Sequence, residues 1–86
     1  MKDGEIFGIL IKDIRRTKSI SQEKLAEKAG LDRTFISLIE TGKRKPTLTS
    51  ICKIAKGLDL KASELLYLYE EKIVEINSRK GDENAT

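Results

Sequence analysis

The sequence predicts an all-α domain of five helices, the last of them extended or broken, and three observations predict it. Apolar residues recur at helical spacing through most of the 86 residues. Six glycines and one proline are too few for a turn-rich β architecture, and no hairpin signal occurs. Ser, Asp, Thr and Gly fall where helices would start and stop rather than at random. At this length one domain with a modest core is expected, residues 1–78, followed by a small, polar, disordered tail over residues 79–86.

In the first helix, from about Glu5 to Thr17, Phe7, Leu10, Ile11 and Ile14 share one face. Ser21 is placed to cap a second, Gln22 to Ala29, whose narrow apolar face is Leu25, Ala26 and Ala29. Gly30 stops it in the left-handed conformation. Asp32 is placed to cap a third, ending at Glu40, with Ile36 and Ile39 inward and Leu31 packed at the turn. After the basic loop Lys43-Arg44-Lys45-Pro46, Thr47 or Thr49 opens a fourth helix through Lys56. Leu48, Ile51, Ile54 and Ala55 are expected in the core, Gly57 ends that helix, and Leu58 and Leu60 tuck beneath it. The fifth begins near Ala62 and runs to Asn77 or beyond, with more apolar surface than one stripe needs.

Charge divides the chain. Residues 1–63 carry fourteen basic and eight acidic side chains, whereas residues 64–86 carry three and six. One region is therefore suited to a polyanion and the other is not. The absence of histidine excludes His-based acid–base catalysis, and a single cysteine, Cys52, excludes an internal disulfide and a Cys-rich metal site. No cofactor is implied, and an enzyme is a remote reading. Charged residues interrupt the apolar run near the N-terminus, so neither a signal peptide nor a membrane span is expected there. This composition fits a reducing cytoplasm.

The segment QEKLAEKAGLDRTFISLIET holds two short helices joined at Ala29-Gly30-Leu31. Helices of about eight residues are unstable alone, so their joint apolar face must dock on neighbours. That leaves the outer face of the second free, with the right diameter for the major groove of B-DNA.

On these residues, with the SQEKLA entry, the ISLIETGKRKP exit and the trailing SELL, the chain resembles the Xre/Cro/phage-repressor family of helix-turn-helix regulators. The resemblance spans Ile9 to Leu66, roughly two-thirds of the chain. It implies a five-helix lambda-repressor-like domain with the third helix in the major groove. It also implies a structural ion pair between Arg15 and Glu40, against the alternative of two unrelated surface charges. LDRTFIS followed by IE and a basic loop is similar to the controller proteins of restriction–modification systems, although GKRKP is the general family loop.

Candidate base-contacting residues are Arg33, Thr34, Ser37 and Leu38. A guanidinium can bond guanine O6 and N7 together, hydroxyls can reach base edges or phosphates, and Leu38 could meet a thymine methyl or pack inward. Phe35 lacks the hydroxyl of the tyrosine common here among related sequences and is assigned to core or edge packing. Candidate phosphate contacts are Ser21, Gln22, Thr41, Lys43, Arg44 and Lys45. Gln22 lies at a helix N-terminus that favours an anion, and its amide could alternatively brace Arg33. The bland reading of the loop is a solvated turn.

Leu66, Tyr69, Ile73 and Ile76 form a stripe on the fifth helix, flanked by Glu70, Glu71 and Glu75. A second copy is the expected cover, and folding back on the first helix is the alternative. The resulting expectation is a cytoplasmic, nucleoid-associated transcriptional regulator that binds a pseudo-palindromic operator in double-stranded DNA as a homodimer. RNA polymerase is a further partner if it activates. The alternative is an antitoxin that neutralises a partner toxin and autoregulates its operon.

Overall fold

The computed structural model describes residues 2–85, with side chains described as far as Ser78. Among these residues there are five helices and no strand: α1 (Asp3–Thr17), α2 (Gln22–Ala29), α3 (Arg33–Glu40), α4 (Leu48–Gly57) and α5 (Ala62–Ala85). The last is continuous rather than broken. At 1.5 Å per residue it is about 36 Å long, and the molecule extends 45 Å along its major axis against 25 and 23 Å across it. The polar tail expected over residues 79–86 falls where side chains lie outside the described residues.

The core is one cluster to which every helix contributes: Phe7, Leu10 and Ile11 from α1, Leu25 and Ala26 from α2, Ile36 and Ile39 from α3, Ile54 and Ala55 from α4, and Leu65 from α5, with Leu58 beneath α4. α1 lies against α3 and α5, and α2 lies against α3 and α4. Two glycines set the closest approaches. A Cβ on Gly8 would run into the carbonyl oxygen of Ile39 and stand 2.9 Å from that of Glu40, so the end of α3 rests directly on the backbone of α1. A Cβ on Gly57 would stand 2.8 Å from Leu25 Cδ1 and 3.1 Å from Ala29 Cβ. Gly57 is thus the last helical residue of α4, kept small for α2, and Leu58 is the cap.

Four helices end alike. Ser19, Gly30, Gly42 and Asp59 all have positive φ, between 56° and 74°. In each case the next amide donates back five residues: Ile20 to Arg15, Leu31 to Ala26, Lys43 to Leu38 and Leu60 to Ala55, all 2.9–3.0 Å. This left-handed closure satisfies carbonyls that a helix end leaves orphaned. At three of the four exits the residue that follows is apolar and packs on the core: Ile20, Leu31 and Leu60. At the end of α3 it is Lys43, exposed.

Ser21 caps α2, accepting from the Lys24 amide. Asp32 stands at the N-cap of α3, but its side chain makes no capping hydrogen bond; its carbonyl accepts from the Ile36 amide at 3.2 Å. Thr47 caps α4 in a reciprocal box with Ser50. That box corrects the core assignment of Leu48, which is 74% exposed. Buried Ser50 takes the inward position of the first turn, and Leu48, two residues earlier, is turned outward.

Candidate nucleic-acid interface

The base of the surface is a buried polar network. Arg15 Nε donates to Glu40 Oε2 at 2.6 Å and Nη2 donates to Oε1 at 3.0 Å. Its remaining nitrogen, Nη1, donates to the Ile20 carbonyl at 2.8 Å. Gln22 Nε2 adds a third bond to the carboxylate, 3.0 Å from Oε1. The two charged side chains are 11% and 2% exposed. The hydrogen bond with Glu40 outweighs the opposing effect of burial and holds the Arg15 guanidinium above its ordinary pKa. One carboxylate at the end of α3 therefore ties together α1, the α1–α2 turn and the start of α2. Such a pair contributes orientation more than net stability.

This network corrects one expectation. The Gln22 amide does not brace Arg33, because the buried carboxylate of Glu40 has a lone pair to satisfy and takes it. Arg33 instead stands beside Glu23, Nε to Oε1 at 3.5 Å, with both side chains exposed. Gln22 still offers an anion the second N–H of its side-chain amide and the backbone of the α2 N-terminus.

α3 buries Ile36, Ile39 and Glu40 and turns the opposite side outward. Arg33 and Thr34 are exposed there, and Ser37 and Leu38 are half-buried. Leu38 thus partly packs on the body while keeping an outward edge. The Thr41 hydroxyl donates to the carbonyls of Ser37, at 2.9 Å, and Leu38, at 3.3 Å, so it reaches a phosphate only by leaving α3. Ser21 Oγ accepts from its cap partner and keeps its proton available to donate.

The basic loop folds back onto α3. Gly42, at φ 74°, turns the chain, and the amides of Lys43 and Arg44 both donate to the Leu38 carbonyl, at 2.9 and 3.2 Å. Lys43, Arg44 and Lys45 are exposed beside α3. The Arg44 guanidinium carbon sits over the Phe35 ring, 5.5 Å from its centroid. Sequence reasoning missed this contact. The two lie nine positions apart, and the turn at Gly42 with the two amide bonds to Leu38 brings the loop back.

At the other end, Tyr69 packs edge-on against Phe7, with ring centroids 5.7 Å apart, and its hydroxyl donates to the Asp3 carbonyl at 3.3 Å. Burial, with the nearby Asp3 charge, pushes the phenol pKa up. Lys72 ties α5 to Asp13 of α1 at 3.2 Å. Ile73 and Ile76 are half-buried, while Leu66, Tyr67 and Val74 are exposed. An open groove of 510 Å³ runs between the start of α1, the loop, α4 and α5, lined by Phe7, Pro46, Ile51, Leu66 and Tyr69 among others. Among the described residues no cluster of His, Cys, Asp or Glu could hold a metal ion, and no helix is long and apolar enough to cross a membrane.

A family model for the helix-turn-helix matches residues 11–65. Control protein C.BamHI of Bacillus amyloliquefaciens is 47% identical over 62 residues, which are 71% of this chain and 76% of that protein. The crystal structure of the wild-type restriction–modification controller protein C.Esp1396I superposes with a TM-score of 0.80 at 35% identity, covering 87% of this chain and 97% of that one. The same controller has been solved as a tetramer in complex with its natural 35 base-pair operator, and that chain matches with a TM-score of 0.80 at 35% identity, over 86% of this chain and 97% of that one.

Proposed function

The chain belongs to the helix-turn-helix family, and from that membership and the geometry of α3 we infer that it is a sequence-specific DNA-binding transcriptional regulator. The observation that carries the reading is the outward face of α3, with Arg33 and Thr34 exposed on a helix whose far end is locked by the Arg15–Glu40–Gln22 network. A rigid helix standing proud of the body enters the major groove without reorganising, and the basic loop beside it meets the phosphates.

In this reading Arg33 contacts base edges, with Thr34, Ser37 and the outward edge of Leu38 beside it. Ser21, the N-terminal backbone at Gln22, Lys43, Arg44 and Lys45 position the duplex, with Thr41 at their margin. A second copy of the chain covers the exposed Leu66 and the groove beside it, with Ile73 and Ile76 along the same helix and Tyr69 as the floor. Two recognition helices then face successive major-groove turns of a pseudo-palindromic site. Similarity to control proteins, and the operator complex of C.Esp1396I, support a regulator of restriction–modification genes. The family is a DNA-binding regulator type, so we assign no enzymatic activity and place the chain in the cytoplasm, at the nucleoid. RNA polymerase becomes a partner where the operator lies next to a promoter that is activated.

The experiment is selection of bound duplexes from a random pool, followed by the salt dependence of binding to the enriched sequence. A half-site repeated with two-fold symmetry is the expected result. A pool that shows no enrichment after repeated rounds overturns the reading.

A further inference from the structure

We propose that Phe35 is a positioning residue for Arg44, its ring face holding the guanidinium against the flank of α3 before DNA arrives. The proposal rests on the reading that Arg44 contacts DNA and goes beyond it, because Phe35 itself has no polar atom to offer a phosphate or a base.

The geometry holds Arg44 at both ends. Its amide donates to the Leu38 carbonyl at 3.2 Å, which fixes the backbone one turn from the end of α3. Its guanidinium carbon lies 5.5 Å from the Phe35 centroid, within the range at which a cation is attracted to the negative face of an aromatic ring. Phe35 and Leu38 are three residues apart and so lie on one side of α3. The ring is half-buried, packed against the core on one side and available to the guanidinium on the other. Its position is therefore set by the fold and not by the loop.

The consequence is kinetic and entropic. An exposed arginine samples many rotamers, and freezing one on binding opposes association. Parked on the ring, Arg44 has already lost much of that freedom. The fold supplies Arg44 with an aromatic platform, and its flat cation is the type that stacks.

The test is a double-mutant cycle on the operator enriched by selection, read by fluorescence anisotropy at fixed salt, with thermal melting of each variant. Phe35→Leu is expected to weaken operator binding about two- to fivefold. Phe35→Tyr, which keeps the ring, is expected to restore it, and Phe35→Leu is expected to have no further effect in an Arg44→Ala background. A loss from Phe35→Leu of the same size in both backgrounds overturns the positioning role. If Arg44→Ala alone leaves binding unchanged, the assignment of Arg44 as a DNA contact fails first, and this proposal with it. A second measurement needs no variant to fold. In the free protein the Arg44 δ-methylene protons are expected upfield of their random-coil position from the ring current of Phe35, and random-coil shifts there sink the proposal.

Discussion

Removing Arg15 tests how α3 is held. In Arg15→Met the aliphatic stem is retained while three hydrogen bonds are lost, two to Glu40 and one to the Ile20 carbonyl. Glu40, 2% exposed at its side chain, is left with the single bond from Gln22. Breaking one half of a buried pair costs about 3–5 kcal/mol, because the orphaned charge stays out of water. The residual exposure of Arg15 lets some water reach the gap, which places the expected loss at the lower end, about 3 kcal/mol. Small domains hold about 5–15 kcal/mol in total, so the variant should fold but only marginally. Urea denaturation followed by circular dichroism gives the difference directly, provided the m-value is unchanged. The double variant Arg15→Met/Glu40→Leu, which removes the stranded charge, should recover at least half of the loss. It should still bind operator poorly, since α3 then lacks its tether to α1 and α2. A loss below about 1 kcal/mol, the range of a solvated surface pair, would refute the reasoning. So would a double variant no more stable than the single one.

Gly8→Ala should destabilise by about 1–3 kcal/mol or more despite the better helix propensity of alanine, since its methyl falls on the carbonyls that end α3; an unchanged urea midpoint would put α1 and α3 further apart than described. Arg33→Ala should relax base preference at one position per half-site, at a cost of about 1–3 kcal/mol on the specific sequence. Lys43→Ala should weaken specific and random duplexes alike and lower the salt slope, and equal losses on both duplexes for Arg33→Ala would remove its reading role. Because burial raises the Tyr69 phenol above its unfolded value, its contribution to stability is complete below about pH 10 and falls as the pH rises through the folded pKa. Denaturation midpoints across that range should therefore decline more steeply for the native protein than for Tyr69→Phe, and parallel curves would show a phenol in open solvent.

What could be read from the sequence was whatever local chemistry decides. Ser21 as a cap, Gly30 as a left-handed stop, and the inward Ile36 and Ile39 depend on residues within a turn or two, and the structure places them so. The failures are tertiary. Leu48 looks like a core residue by hydropathy, but buried Ser50 takes the inward position beside it to complete the capping box. Gln22 can reach two acceptable partners on paper, and only the burial of Glu40 decides between them. The role of Gly8 depends on which helix crosses α1 at that turn, which no spacing within α1 encodes. Ser19 and Asp59 adopt the left-handed conformation without being glycine, so two of the four matched helix exits carried no glycine signal.

The four exits also explain how one fold separates holding from reading. Each uses the same left-handed residue and the same backbone closure, and three follow it with an apolar side chain anchored in the core. The fourth follows it with Lys43, so the closure at the end of α3 delivers a cation to the surface where its counterparts deliver an anchor. α3 thereby lacks an apolar anchor at its exit, and Glu40, two residues before Gly42, supplies a polar one through Arg15 and Gln22. The strong interactions of α3 therefore lie inside, at its C-terminal end. On its outward face Arg33 has only a weak one, beside an exposed Glu23 at 3.5 Å. Exposed pairs of that kind are worth at most about 1 kcal/mol and are screened by salt, so a duplex can displace Glu23 from Arg33 at little cost. A helix anchored this way can exchange the partner of Arg33 without moving.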